Sequence, residues 1–186
     1  MRYFRRVHEG LDPAPILTDL AAAPDLWDVY RERTLLSDGY MHGTSDIWLR
    51  YFPRERLQTA ADFLGEGRCE FYDAWWRLPS IHAVAYSLMS MCSGVELGTC
   101  LISRIPPGGE VKPHRDGACW TARFYEKKFY VILQANPLCL NVTEDEEVVM
   151  QPGEIWAFDN LALHAVYNRG DTDRLNLIIT LRSGEA

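Results

Sequence analysis

The sequence predicts a mainly β domain with flanking helices, built around an antiparallel barrel or jelly roll. From about residue 95 onward the chain falls into short apolar runs separated by Gly, Pro and Asn turns, which is the punctuation of such a domain. The last run has two faces. Arg174, Asn176, Ile178 and Thr180 share one, and Leu175, Leu177, Ile179 and Leu181 share the other. A mainly polar face opposite an apolar one fits a barrel that holds a polar ligand inside and is covered by helices outside. A third observation is His114-Arg115-Asp116, followed by His164, in the middle of this strand-rich region.

The N-terminal part is mixed. Met1-Arg2-Tyr3-Phe4-Arg5-Arg6 is basic but precedes no apolar run, so it does not read as a secretory signal. Asp12-Pro13-Ala14-Pro15 reads as a loop. Leu17, Leu20, Leu26, Val29 and Tyr30 mark one or two short helices within 16–36, with Pro24 tolerated in a first turn. Ser45–Tyr51 alternates like a strand. Arg54–Leu64 reads as a helix stopped by Gly65 and Gly67, and 71–92 reads as a buried helix with Pro79 near its beginning.

The strands then follow in order. Thr99–Ile105 ends at Pro106-Pro107-Gly108-Gly109. Pro113 before the His114/Asp116 pair and Gly117 after it suggest a strand that ends at that pair. Arg123–Ala135 carries the next, then Leu138–Val142, and Glu147–Gln151 leads to the turn Pro152-Gly153. Glu154–Phe158, Leu163–Tyr167 and Asp173–Arg182 complete the set, the last two separated by the turn Asn168–Asp171. If that turn closes a hairpin, Arg174 lies beside His164 across the ladder.

The 186 residues, 47% of them hydrophobic, suffice for one domain, with 1–94 packing on a core at 95–182. A net charge of −7 argues against a general phosphate-binding surface, so no nucleic-acid partner is expected. No stretch of about 18 apolar residues occurs, so no membrane span is expected. Cys69, Cys92, Cys100, Cys119 and Cys139 are scattered and lack CxxC spacing, which reads as reduced thiols and a cytoplasmic location.

The chemistry lies in the His/Asp set. Two histidines and one carboxylate occupy one face of an octahedron around ferrous iron and leave the remaining positions open. Residues two apart on an extended segment point the same way, so His114 and Asp116 can reach one ion while His164 closes the set from another strand. Arg174 is a buried guanidinium in this reading. Such a group needs an anion and pairs with a carboxylate through two hydrogen bonds, which suggests a carboxylate-bearing co-substrate.

Two segments carry a family resemblance: Leu101-Ile-Ser-Arg-Ile-Pro-Pro-Gly-Gly-Glu-Val-Lys-Pro-His-Arg-Asp116 and Gly153-Glu-Ile-Trp-Ala-Phe-Asp-Asn-Leu-Ala-Leu-His-Ala-Val-Tyr-Asn168, with Arg174 beyond. They resemble the aspartyl/asparaginyl β-hydroxylase family, a branch of the Fe(II)- and 2-oxoglutarate-dependent oxygenases. The resemblance covers about 95–182 and implies a double-stranded β-helix (jelly-roll, cupin-like) core. It also implies Fe(II), 2-oxoglutarate as co-substrate and O2.

By that resemblance His114 and His164 match the iron-binding histidines. Arg174 and Ser103 match the pair that holds the distal carboxylate of 2-oxoglutarate, and Arg123 matches an arginine near the other carboxylate. Tyr125 stands where the animal hydroxylases have histidine. Asp116 also departs from those enzymes and matches bacterial free-amino-acid hydroxylases. An occupied carboxylate position implies hydroxylation, because related halogenases keep that position open for chloride.

Other readings stand beside these. Ser103 could satisfy a strand backbone, and Arg123 could form a surface salt bridge. Trp120, after the metal pair, is a candidate substrate contact; Arg104 points either to the site mouth or into a structural ion pair. Trp75, Trp76, Trp156 and Phe158 read as core. His8, His42 and His82 read as solvated or hydrogen-bonded, and Glu144-Asp145-Glu146-Glu147 as a solvated hairpin loop. The expected function is hydroxylation of an unactivated C–H of an amino acid, free or in a peptide, with release of succinate and CO2. The alternatives are an oxygenase acting on a nucleobase or other small metabolite, or a cupin-like metalloprotein that is not an oxygenase.

Overall fold

Residues 2–37, 39–41 and 43–184 are described by a computed structural model. Its framework follows from the two-faced last strand. β11 (Arg174–Ser183) is the central strand of a seven-stranded antiparallel sheet, between β4 (Gly94–Ile105) and β6 (Lys127–Gln134). The rest of that sheet is β9 (Ile155–Phe158) and β1 (Phe4–His8) beyond β6, with β2 (Ser45–Tyr51) and β3 (Glu70–Phe71) beyond β4. A second sheet has the order β5 (Glu110–His114), β10 (His164–Asn168), β7 (Cys139–Thr143) and β8 (Glu147–Val149). Two antiparallel sheets of this kind make a jelly roll.

Alternation divides the core. Leu177, Ile179 and Leu181 point outward, with Phe129 and Val131 of β6, into a cluster completed by the helices α1 (Ala14–Ala22), α3 (Asp73–Arg77) and α4 (Ser80–Met91). Ile178, Tyr130 and Ile132 point inward to a second cluster with Trp48, Trp156 and Phe158. β2 is buried along nearly its whole length because helices cover one face and the second cluster the other.

Several elements differ from the sequence expectation. Arg54–Leu64 is not one helix but two 3-10 turns, Arg54–Arg56 and Ala60–Leu64. Thr59 interrupts it: the Asp62 carboxylate accepts the backbone N–H of Gln58 at 2.9 Å and of Thr59 at 2.6 Å, which starts a new turn. The 71–92 helix is divided into α3 and α4, since Pro79 disfavours helical backbone at Leu78 before it and is itself tolerated where α4 begins. Arg123 belongs to a short helix, α5 (Trp120–Phe124), and the strand starts only at Lys127. Among the described residues between Ala22 and Ser45 the helical elements are a 3-10 turn at Pro24–Leu26 and α2 (Glu32–Leu35).

The largest correction concerns the 168–171 turn. It does not close a hairpin, because β10 and β11 belong to different sheets. Arg174 is opposite Ile105 in the large sheet, while His164 is opposite His114 and Thr143 in the small one. The buried Asn168 side chain holds the crossover, donating to the carbonyls of Ile105 at 2.9 Å and Thr172 at 2.8 Å.

Trp76 and the acidic run also differ from expectation, whereas His82 is hydrogen-bonded as expected. Trp76 is 68% exposed, whereas Trp75, Trp156 and Phe158 are buried. His82 bonds the Trp75 carbonyl at 2.8 Å, while His42 lies outside the described residues. The acidic run is not merely solvated: Glu146 accepts the backbone N–H of Tyr3 and Phe4, each at 3.2 Å, and so tethers β1. All five cysteines are free. Among the described residues no helix is long and apolar enough to cross a membrane.

Candidate metal centre

Strand pairing brings the histidines together. The β5–β10 register sets His114 opposite His164 with ring centroids 4.3 Å apart. Asp116 follows at the start of a 3-10 turn, its backbone N–H held by the carbonyl of Asn160 at 3.1 Å. One carboxylate oxygen lies 3.5 Å from His114 Nε2 and the other 3.9 Å from His164 Nε2. The three ligand atoms are all within 4.8 Å of one another.

The tautomers favour a metal. His114 Nδ1 contacts the Lys112 carbonyl at 2.8 Å and His164 Nδ1 that of Ala162 at 3.0 Å. A carbonyl only accepts, so each Nδ1 carries its hydrogen and each Nε2 keeps a free lone pair aimed at the site, the arrangement metal-binding histidines use. His164 Nε2 is buried and has no hydrogen-bond partner. Burial pushes the His164 pKa down to about 4, so the ring is neutral at pH 7. For Asp116, burial alone would raise the pKa, but Lys128 and the histidines overrule it and hold the carboxyl well below its usual range. An orphaned buried imidazole nitrogen, a second imidazole and an ionised carboxylate fit Fe(II).

Lys128, which the sequence did not single out, forms an ion pair with Asp116. It lies one residue into β6 with its Nζ 5.0 Å from the Phe158 ring centroid. The signal was present: alternation puts Lys128 on the inward face with Tyr130 and Ile132, where a solvated lysine would not be expected.

Two cavities flank this centre. The inner one is lined by His114, Lys128, Ser103, Tyr130, Arg174 and Asn176, among others. Arg174 is 1% exposed, and its polar contact is Asn141 Oδ1 at 2.9 Å. No carboxylate among the described residues pairs with it, and burial pulls its pKa down from the usual arginine value. Asn176, opposite Ser103 in the β4–β11 register, adds a buried and unpartnered Oδ1. A guanidinium so placed without an anion is costly, so the cavity suits a carboxylate. Asn141 also escaped the sequence reading, because only the β7–β10 pairing shows which way it faces.

The outer cavity opens past Asp116 and Lys128 between Tyr40, Tyr51, Phe63, Leu64 and Asn160. Arg33, Met41, Lys128 and Ile178 line both cavities. Arg33 is paired with the buried Asp46 at 2.6 Å.

Ser103 and Arg174 thus meet in the inner cavity, but other predicted residues lie elsewhere. Arg123 is exposed on α5 and lines neither cavity. Tyr125 is fully buried, donates to Glu96 Oε1 at 2.9 Å and accepts the Cys69 N–H at 3.3 Å. Trp120 stacks on Phe124 with centroids 4.3 Å apart, and its neighbours Cys119, Thr121 and Ala122 reach the outer cavity instead. Arg104 turns to the opposite face from Ser103, with its guanidinium 4.4 Å from the Trp27 ring centroid and 3.3 Å from Ser45 Oγ. Arg104, Trp120 and Arg123 share one cause: their neighbours in sequence line the cavities, but strand alternation or the turn of α5 sends these side chains away.

A family model described as aspartyl/asparaginyl beta-hydroxylase matches residues 66–183. No curated protein matches the chain. Among solved structures, it is similar to an oxidoreductase of the 2OG-Fe(II) oxygenase family from Burkholderia pseudomallei, with TM-score 0.57, 13% identity, and coverage of 78% of this chain and 73% of that one. The viral collagen prolyl hydroxylase of Paramecium bursaria Chlorella virus-1 aligns with TM-score 0.54 and 12% identity over 98% of this chain and 97% of that one. A Pseudomonas putida prolyl-4-hydroxylase aligns with TM-score 0.52 and 13% identity over 100% and 95%.

Proposed function

Because the chain belongs to the aspartyl/asparaginyl β-hydroxylase family of Fe(II)- and 2-oxoglutarate-dependent oxygenases, we propose that it hydroxylates an unactivated C–H bond of an amino acid, free or within a peptide. One oxygen atom of O2 enters the substrate as a hydroxyl group. The other enters 2-oxoglutarate, which leaves as succinate and CO2. The observation that carries the reading is the His114, Asp116 and His164 set, lying beside a cavity that ends in the unpaired Arg174.

Each residue has a part. His114, Asp116 and His164 would hold the iron on one face, and when bound the metal supplies the oxidising chemistry. The two imidazoles are oriented in advance by the Lys112 and Ala162 carbonyls, which limits the reorganisation that accompanies loading. Arg174 would bind the distal carboxylate of 2-oxoglutarate, with Ser103 beside it, and Asn141 braces the guanidinium. The apolar wall of the inner cavity, including Val111, Val166 and Ile105, limits water there. The outer cavity would present the substrate C–H from the far side of Asp116.

The test is a screen of amino acids and short peptides with protein, Fe(II), 2-oxoglutarate and O2, scoring succinate and a gain of one oxygen by mass spectrometry. Substrate-dependent succinate with a matching hydroxylated product is expected. Hydroxylation of nucleobases alone, or no 2-oxoglutarate turnover with any substrate, would reject the proposal. The result with excess chloride is expected to be the same hydroxylated product, since Asp116 occupies the position a halide would need.

A further inference from the structure

We infer that the outer cavity binds its substrate through a free carboxylate, held by Lys128 with Asn160 as a second donor. This deepens the proposed function and rests on it. Of the charged side chains lining the two cavities among the described residues, Arg33, Arg115, Lys128 and Arg174 are cationic, and Asp116 is the acid. Two of the cations have acidic partners of their own, Arg33 in Asp46 at 2.6 Å and Arg115 in Glu144 at 2.6 Å. Arg174 and Lys128 remain, against Asp116 alone.

Loading the site does not close this gap. A divalent metal and doubly charged 2-oxoglutarate cancel each other. Asp116, which already faces His114 with one oxygen and Lys128 with the other, is shared between the metal and the lysine, and Arg174 takes the distal carboxylate. The site then carries one net positive charge, with its surplus at Lys128, whose side chain is only 13% exposed and shares its one acidic partner with the metal. A charge so far from water needs a partner. An anionic group entering from the outer cavity supplies it, and a single charge matches one carboxylate.

A second feature points to the same chemistry. Asn160 is 4% exposed, lines the outer cavity, and its Nδ2 donor is buried with no hydrogen-bond partner. Its backbone carbonyl is bonded to Asp116 N–H, which fixes this donor close to the metal centre. An ammonium and an amide N–H2 around one space select an acceptor-only group. Tyr51, Phe63 and Leu64 line the same cavity and suit the carbon chain behind that group. A free amino acid or other small carboxylic acid meets these terms, whereas a residue inside a peptide, with its backbone carboxyl amidated, does so only through an acidic side chain.

The test uses the Fe(II)-loaded protein under nitrogen, saturated with 2-oxoglutarate, titrated by calorimetry with hexanoate and with its neutral isostere hexanamide. Hexanoate is expected to bind about ten- to a hundredfold more tightly, as for a charge-assisted hydrogen bond. Lys128→Met should abolish that preference, and Lys128→Arg should retain most of it. The affinity for 2-oxoglutarate is measured separately for each variant and 2-oxoglutarate is kept saturating, so that the hexanoate preference is read on the loaded site. Equal binding of the two probes by the wild-type protein would overturn the inference and leave the oxygenase reading intact. So would a Lys128→Met variant that loses 2-oxoglutarate affinity while still preferring hexanoate, because the lysine would then serve the co-substrate. Failure of the wild-type protein to bind Fe(II) or 2-oxoglutarate would reject both readings.

Discussion

At the scale of single residues the site is a set of groups whose partners are missing. His164 Nε2 has none, and Arg174 has an amide where a carboxylate would be expected. These define two experiments. His114→Ala and His164→Ala should each reduce bound iron to background and abolish succinate formation. Metal analysis after dialysis reads the first effect, and circular dichroism should show an unchanged fold. Retention of full activity in either variant would refute the ligand assignment. Arg174→Met removes a charge-assisted hydrogen bond worth about 1.5–3 kcal/mol, so the apparent KM for 2-oxoglutarate should rise roughly ten- to a hundredfold. An unchanged KM would place the co-substrate elsewhere.

At the scale of elements, turns decide where the strands meet. Gly153, in the turn entering β9, has φ of +84°, and a Cβ there would lie 2.5 Å from the Leu11 carbonyl oxygen. The same turn accepts the Leu11 N–H at 3.0 Å, joining it to the segment between β1 and α1. Gly108, in the turn entering β5, has φ of +73° with nothing within 4 Å of its would-be Cβ. Both alanine variants meet backbone strain of about 1–3 kcal/mol, but only Gly153→Ala adds a clash with backbone. Gly153→Ala is therefore expected to destabilise the protein more than Gly108→Ala. Urea denaturation of both variants measures the difference, and equal losses would show that the Leu11 contact does not constrain the turn.

At the scale of the whole molecule, the metal site joins β5 and β10 of the small sheet to Lys128 in the large one. A ligand that binds this folded arrangement and not the unfolded chain stabilises by mass action, by about 2.7 kcal/mol at a free concentration one hundred times Kd. For a chain of this length that corresponds to a rise in Tm of roughly 5–11 °C. Thermal melts under nitrogen with Fe(II), then with excess chelator, should show the rise and its reversal. Addition of 2-oxoglutarate should raise Tm further in the presence of metal than in its absence. A melt insensitive to Fe(II) would mean that the three side chains do not form a binding site in the folded protein.

The sequence by itself determined the local features. Period-two alternation revealed the two faces of β11, and β2 matches its expected bounds of Ser45–Tyr51. The separation of two residues put His114 and Asp116 on one side of the chain, since both effects depend only on backbone geometry between near neighbours. It could not determine which strands pair. The expected hairpin between His164 and Arg174 fails because strands adjacent in sequence enter different sheets, a choice made by burial of both inner faces together. Asn141 and Asn160 became visible for the same reason, and so did the pairing of Lys128 with Asp116, although alternation alone puts Lys128 on the inward face. A lysine, two asparagines and a cavity acquire a shared role only when distant strands bring them to one place, and that juxtaposition is set by tertiary packing, not by the spacing of residues along the chain.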